Sequence, residues 1–296
     1  MKKFKGCYTA IVTPFKNGRV DFKSLEKLLS YQLKSKITGI VPCGSTGEGS
    51  VLTTDEYLDV IKLCVERVGE KKQVIAGFGT NSTIKSLDML ERINDIKLDG
   101  ILVIVPYYNK PTQKGMIEHF KTISQNTKHD IILYNIPSRT GVNMLPQTVH
   151  NLSKIKNIKG IKEASGSIDQ SSEIINLCHK GFSLLCGDDS LTLASMSVGG
   201  DGVISVVSNL IPSEISDMCE SFSKGNIKKA ISIHHRYFKL MKNLFIETNP
   251  IPVKYALKKL GIIDDDELRL PLTRISKENA EKIDRILEDL KLLNQE

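Results

Sequence analysis

Short apolar runs alternate along this chain with longer stretches in which apolar residues recur every three to four positions. The runs Tyr8–Val12, Gly39–Val41, Gln73–Ala76, Gly100–Val105, Asp130–Tyr134, Ile158–Ile161, Ser183–Cys186 and Gly202–Ser205 predict eight strands. Between them the period predicts helices over Ser24–Lys36, Thr54–Val68, Thr83–Ile96, Thr112–Asn126 and Asp169–His179. Strands that are apolar throughout are buried on both faces, as parallel strands covered by their connecting helices are. Eight such units favour closure into an α/β (β/α)8 TIM barrel over an open doubly wound sheet, which periodicity alone leaves as the alternative.

Beyond Ser208 the pattern stays helical, over Pro212–Ser223, Ile227–Phe245, Pro250–Leu260 and Lys277–Leu293, with Pro212 and Pro250 suited to first-turn positions. The chain thus divides into residues 1–208, carrying the strands and catalytic loops, and 209–296, helices that complete the barrel and extend it. No repeat, low-complexity tract or flexible linker interrupts the pattern. A length of 296 residues, 40% of them apolar, is enough for one large core.

Charge and cysteine content narrow the function classes. The net charge of +7 comes from dispersed lysines with acids between them, and no basic run is interleaved with aromatics, which argues against nucleic acid. The six cysteines show neither C-x2-C pairing nor companion histidines, so no zinc site is expected. No apolar run of signal-peptide length follows the basic start, and none approaches the roughly 20 residues that span a bilayer. The expected compartment is the reducing cytoplasm, without membrane contact.

In such a barrel the chemistry lies where strands end. Lys162 is expected at the end of the strand Ile158–Ile161, with Ser167 or Asp169 capping the next helix. Burial beside apolar residues would lower its pKa from about 10.4 and leave a neutral amine able to attack a ketone. A solvated surface lysine is the plainer alternative. Gly44-Ser45-Thr46-Gly47-Glu48-Gly49 can turn backbone N–H groups and two hydroxyls onto an anion, but lacks the lysine of a nucleotide phosphate loop. Tyr107 and Tyr108 on the proline-bounded loop Pro106–Pro111 serve either packing or phenol chemistry. In Tyr134-Asn135-Ile136-Pro137-Ser138-Arg139-Thr140-Gly141 a phenol precedes a guanidinium that can grip a carboxylate or form a loop ion pair. Gly187 precedes Asp188-Asp189, read as acids at a helix N-terminus rather than metal ligands. A serine hydrolase is excluded by the missing G-x-S-x-G, and the adjacent His234-His235 is poorly spaced for a metal.

Together the segments G-S-T-G-E, P-Y-Y-N-K-P, Y-N-I-P-S-R-T-G and I-K-E-A-S-G resemble, in order and spacing, the dihydrodipicolinate synthase family of pyruvate-dependent, lysine-Schiff-base aldolases. The resemblance covers essentially the whole chain. It implies that Lys162 forms an imine with pyruvate, whose enamine adds to aspartate 4-semialdehyde on the way to 4-hydroxy-tetrahydrodipicolinate, in lysine and diaminopimelate synthesis. It further implies that Tyr134 donates and accepts the proton beside Lys162, and that Thr46 relays between Tyr134 and a Tyr108 supplied by the neighbouring subunit. By the same resemblance Ser45 and Thr46 hold the pyruvate carboxylate, Arg139 receives the carboxylate of the semialdehyde, and Gly187 and Ile204 line the substrate end. No metal or organic cofactor is implied. The implied assembly is a homo-oligomer, a homotetramer built as a dimer of dimers.

Two departures from the family pattern matter. Ser45 stands where many members carry threonine, and serine at this place is also the form of the neuraminate lyases, whereas Arg139 within S-R-T-G is the synthase form. Another pyruvate aldolase, N-acetylneuraminate lyase or a 2-keto-3-deoxy sugar acid aldolase, is the alternative, and a non-catalytic binding barrel a more distant one. In the cleft where lysine-sensitive members bind their effector, Thr54, Tyr57 and Lys85 replace the expected imidazoles and glutamate, beside Ser50, Asn81 and Tyr107. Lys85 would place a cation against the effector's ammonium, so insensitivity to lysine is expected.

Overall fold

The computed structural model describes residues 4–293. Eight parallel strands close into a barrel: β1 (Gly6–Ala10), β2 (Gly39–Val41), β3 (Gln73–Phe78), β4 (Gly100–Ile104), β5 (Ile131–Asn135), β6 (Ile158–Glu163), β7 (Ser183–Cys186) and β8 (Gly202–Ser205). Closure runs through Gly6 and Gly202, which are paired in register. The backbones come so close there that a Cβ on Gly202 would lie 1.9 Å from the Gly6 carbonyl oxygen, and Gly202 has φ 146°, so no side chain fits. A small antiparallel ribbon, Phe15–Lys16 with Arg19–Val20, follows β1.

The strands bury both faces, as their sequence pattern requires. Tyr8, Val41, Ile75, Leu102, Ile132, Tyr134, Leu185 and Ile204 fill the barrel interior. Their strand neighbours Cys7, Val74, Ile101, Leu133, Ile161, Leu184 and Val203 pack outward into the core shared with the helices. That alternation decides which strand residues can reach a site inside the barrel.

The predicted barrel is the one observed, with shifted boundaries. The strand expected at Tyr8–Val12 is Gly6–Ala10, that at Gln73–Ala76 runs on to Phe78, and that at Ile158–Ile161 runs on to Glu163. Helix starts follow their caps. Thr53 caps Thr54–Val68 in a reciprocal box with Glu56, Thr112 caps Gln113–Gln125, and Ser167 caps Ile168–Leu177. Three short helices, Pro137–Thr140, Pro146–Ser153 and Thr192–Ser197, escaped the period because they span too few turns to show it. Pro250 is the N-cap of Ile251–Lys259 rather than a first-turn residue, whereas Pro212 opens Pro212–Ser223 as expected.

Pro212–Ser223 packs on β1, and Ile227–Asn243 packs on it in turn, with Lys277–Asp289 bridging to Ile251–Lys259. All six cysteines are free thiols. Among the described residues no helix is long and apolar enough to cross a membrane.

Candidate active site

Lys162 lies within β6, not beyond its end as the apolar run suggested. It pairs with Tyr134 on β5 and Leu185 on β7, both of which face the interior. The lysine stem is therefore drawn into the barrel, where the residue is 6% exposed and its Nζ stands 4.2 Å from the centroid of the Tyr134 ring. Tyr134 itself is 5% exposed.

The next residue turns the other way and braces the strand. The Glu163 carboxylate accepts from Asn135 Nδ2 at 3.1 Å, Gln170 Nε2 at 3.0 Å and the Ser165 backbone N–H at 2.6 Å. Burial raises its pKa, and these donors oppose the shift by holding the charged form. The sequence offered a lysine and a glutamate side by side; only the pleat shows that one enters the barrel and the other anchors its wall.

The glycine loop after β2 folds back on itself. Gly49 N–H donates to the Gly44 carbonyl at 3.2 Å, and Thr13 Oγ1 donates to the Gly47 carbonyl at 2.6 Å. Gly77 on β3 admits the loop, because a Cβ there would stand 2.4 Å from the Gly44 nitrogen. Among the described residues the N–H groups of Ser45 and Thr46 meet no protein acceptor, so two adjacent donors remain for an anion. Thr46 Oγ1 accepts from Asn249 Nδ2 at 2.9 Å.

Glu48 closes the loop underneath, with φ 51° and its side chain turned inward. Its Oε1 lies 2.5 Å from Lys254 Nζ, both side chains sealed from solvent. Burial lowers the Lys254 pKa to about 8, against the pull of Glu48. Lys254 and Arg269 both lie over the Phe15 ring, at 4.1 and 4.5 Å from its centroid. Arg269 reaches back to Glu56 with both terminal nitrogens, and its backbone N–H donates to Glu48 Oε2 at 3.2 Å. Asn249, Lys254 and Arg269 were absent from the sequence reading. They lie in the C-terminal third, where apolar period was the only signal.

Arg139 is exposed on the one-turn helix Pro137–Thr140, and its Nη2 donates to the Asn249 carbonyl at 2.9 Å. A cavity of about 520 Å³ joins Ser45, Tyr134, Arg139 and Asn249 to Ser50, Thr54, Tyr57 and Tyr107. Asn81 and Lys85 are not on its wall, and Lys85 is exposed. Gly187 follows β7, where a Cβ would stand 2.5 Å from the Ala164 Cβ, and Ile204 is buried in the inner layer of β8.

Tyr108 does not join Tyr134 within the chain: it is 86% exposed, with φ 73°. Asp188 and Asp189 stand at the start of the short 3-10 helix Asp189–Leu191, as expected of a helix-terminal acidic pair, and Asp189 is in addition buried, its Oδ2 accepting from Val206 N–H at 3.0 Å and Val207 N–H at 2.9 Å. Asp188 is half-buried, and burial raises its carboxyl while nearby Lys162 and Lys242 pull it down. Among the described residues no three His, Cys, Asp or Glu side chains group as a metal site.

Comparison with known proteins bears out the resemblance. The sequence matches the Dihydrodipicolinate synthetase family over residues 3–290. It is 47% identical to the 4-hydroxy-tetrahydrodipicolinate synthase of Syntrophus aciditrophicus over 290 residues, 98% of this chain and 99% of that one. The crystal structure of dihydrodipicolinate synthase from Thermotoga maritima superposes with a TM-score of 0.96 at 43% identity, covering 98% of this chain and 99% of that one. The enzyme from Cyanidioschyzon merolae, crystallised with lysine bound, gives 0.95 at 39% identity, over 99% of this chain and all (100%) of that one.

Proposed function

We infer the reaction from a plain premise: the chain belongs to the dihydrodipicolinate synthetase family. It condenses pyruvate with L-aspartate 4-semialdehyde to give 4-hydroxy-tetrahydrodipicolinate, for lysine and diaminopimelate synthesis. The observation that carries this reading is the Lys162 amine, buried inside the barrel 4.2 Å from the Tyr134 ring. It is an enclosed nucleophile beside a phenol.

The chemistry follows from what each group can do. Lys162 attacks the ketone carbon of pyruvate, and Tyr134 protonates the departing hydroxyl, which leaves as water. The imine makes the pyruvate methyl acidic; loss of a proton gives the enamine, whose carbon adds to the aldehyde. The amino group of the semialdehyde then attacks the former ketone carbon and displaces Lys162, closing the ring and freeing the enzyme. The Ser45 and Thr46 N–H groups, which have no protein acceptor among the described residues, suit the pyruvate carboxylate. Arg139, exposed at the cavity mouth, suits the carboxylate of the semialdehyde, a group that N-acetylmannosamine lacks. Gly187 and Ile204 fit as lining of the pyruvate end, where a side chain on Gly187 would press on Ala164.

The exposed Tyr108 supports a dimer in which each subunit completes its partner's relay through Thr46. A second contact, doubling the dimer to a tetramer, fits the stripe Ile227, Ile231, Phe238 and Phe245, each 41–44% exposed. The six free thiols fit a reducing cytoplasm. Lysine is not an effector on this reading. Tyr57 spends its hydroxyl on the Gly77 carbonyl, at 2.8 Å, and Lys85 carries the wrong charge.

The test offers the protein pyruvate with aspartate 4-semialdehyde, N-acetylmannosamine or glyceraldehyde, with borohydride trapping and peptide mapping in parallel. Turnover with the semialdehyde and an adduct on Lys162 are expected. Preference for another aldehyde moves the substrate, and an adduct elsewhere or none removes the mechanism.

A further inference from the structure

Asn249 is a buried residue for which the reaction above has no use. It is 5% exposed, and it lies on the cavity wall with Ser45, Tyr134 and Arg139. Its Nδ2 donates to Thr46 Oγ1 at 2.9 Å and its backbone carbonyl accepts from Arg139 Nη2 at 2.9 Å. Its Oδ1 is buried without a hydrogen-bond partner among the described residues. One residue thus touches both the hydroxyl of the glycine loop and the guanidinium at the mouth.

The two contacts differ in kind. The carbonyl that holds Arg139 belongs to the backbone and survives any side-chain change. The amide that meets Thr46 has direction: an N–H only donates, whereas a hydroxyl has one hydrogen and two lone pairs. When Thr46 accepts from Asn249, its own hydrogen is left for another acceptor. Were the amide turned with Oδ1 toward Thr46, that hydrogen would be tied up in the wall.

Resting on the reading of Thr46 and Tyr134 as a relay, we propose that Asn249 is a positioning residue that directs the Thr46 hydroxyl hydrogen toward the Tyr134 phenol oxygen. Once Tyr134 has given its proton to the departing hydroxyl, the phenolate takes a proton from Thr46. Thr46 in turn recovers one from Tyr108 of the partner subunit. The Asn249 amide neither gains nor loses a proton; it keeps the transfer running one way.

Asn249→Asp tests this, because an ionised carboxylate accepts but cannot donate. At pH 8 kcat is expected to fall about 30-fold or more, the scale of a lost general acid–base contribution. The pyruvate adduct on Lys162 should still be trapped by borohydride, and KM for the semialdehyde should stay within about threefold, since the backbone holds Arg139. The ratio of variant to parent kcat should then rise roughly tenfold between pH 8 and 5.5, as the buried carboxyl gains the proton that lets it donate. Asn249→Ala, which has no donor, should stay low throughout. A pH-independent ratio overturns the proposal, and a fixed fraction of misfolded protein cannot produce or hide that slope. Near-parent turnover at pH 8 overturns it too, by showing that an acceptor suffices. If the parent itself yields no adduct, the Schiff-base reading fails first and takes the proposal with it.

Discussion

Lys254 Nζ stands 2.5 Å from Glu48 Oε1 with both side chains sealed from water. The loop that presents Ser45 and Thr46 is thereby fastened to the helix Ile251–Lys259, far along the chain. Removing one member of such a pair leaves an uncompensated charge in the core, whereas replacing both with apolar groups is often neutral. Glu48→Gln should therefore cost about 3–5 kcal/mol, and Glu48→Met with Lys254→Met should cost less than that single change. Urea denaturation of the parent and both variants checks this; equal losses in the two would show that the pair does not couple.

The same lysine predicts a pH dependence. Its folded pKa is lowered to about 8, below the ordinary value near 10.4, so the folded state favours the neutral amine. Between those values the unfolded chain holds a proton that the folded one has shed, and stability rises with pH. Melting temperatures of the parent should show that rise, and Lys254→Met should lack it.

Glu56 gives the opposite limb. Hydrogen bonds from Arg269 hold its carboxylate at about 2, against an ordinary value near 4.3. A depressed folded pKa contributes stability above the unfolded value, which is lost as pH falls toward 2. The pair is partly exposed, so its contribution is set at ~1 kcal/mol. Arg269→Gln should lower stability at pH 7 by that amount and flatten the acid limb between about pH 4.5 and 2. An unchanged acid limb in the variant would assign the acid loss to other carboxylates.

If Tyr108 carries the proton relay proposed above, Tyr108→Phe should lose about a hundredfold in turnover while still forming the pyruvate adduct, because the nucleophile is untouched. Mixing it with an inactive Lys162→Ala chain gives a sharper readout. Mixed dimers carry one site with both Lys162 and a native Tyr108, so activity should reappear. No recovery on mixing would place Tyr108 outside its partner's site.

Lysine at low-millimolar concentration should leave the initial rate unchanged. Tyr57 has no hydroxyl hydrogen to offer an effector, because it donates to the Gly77 carbonyl at 2.8 Å. Tyr57→His with Lys85→Glu should make the enzyme bind lysine measurably, as followed by calorimetry.

The barrel was legible in the chain because its strands are buried twice over. Apolar residues face both the interior and the helices, and a continuous run of them survives any error of register. The reactive segments were legible because each lies within a few residues of a strand end, where local order keeps neighbours together: Ser45 with Thr46, Tyr134 with Arg139. The family followed from those segments and their order. What the chain left open depends on direction and on distance. Whether Lys162 or Glu163 enters the barrel is decided by a pleat of period two, and by one residue of register between β5 and β6. Asn249, Lys254 and Arg269 reach the glycine loop only because the helix Ile251–Lys259 and the segments flanking it fold back against that loop. No local pattern records such a contact, since its partners meet through the closure of the whole barrel and not through their spacing along the chain.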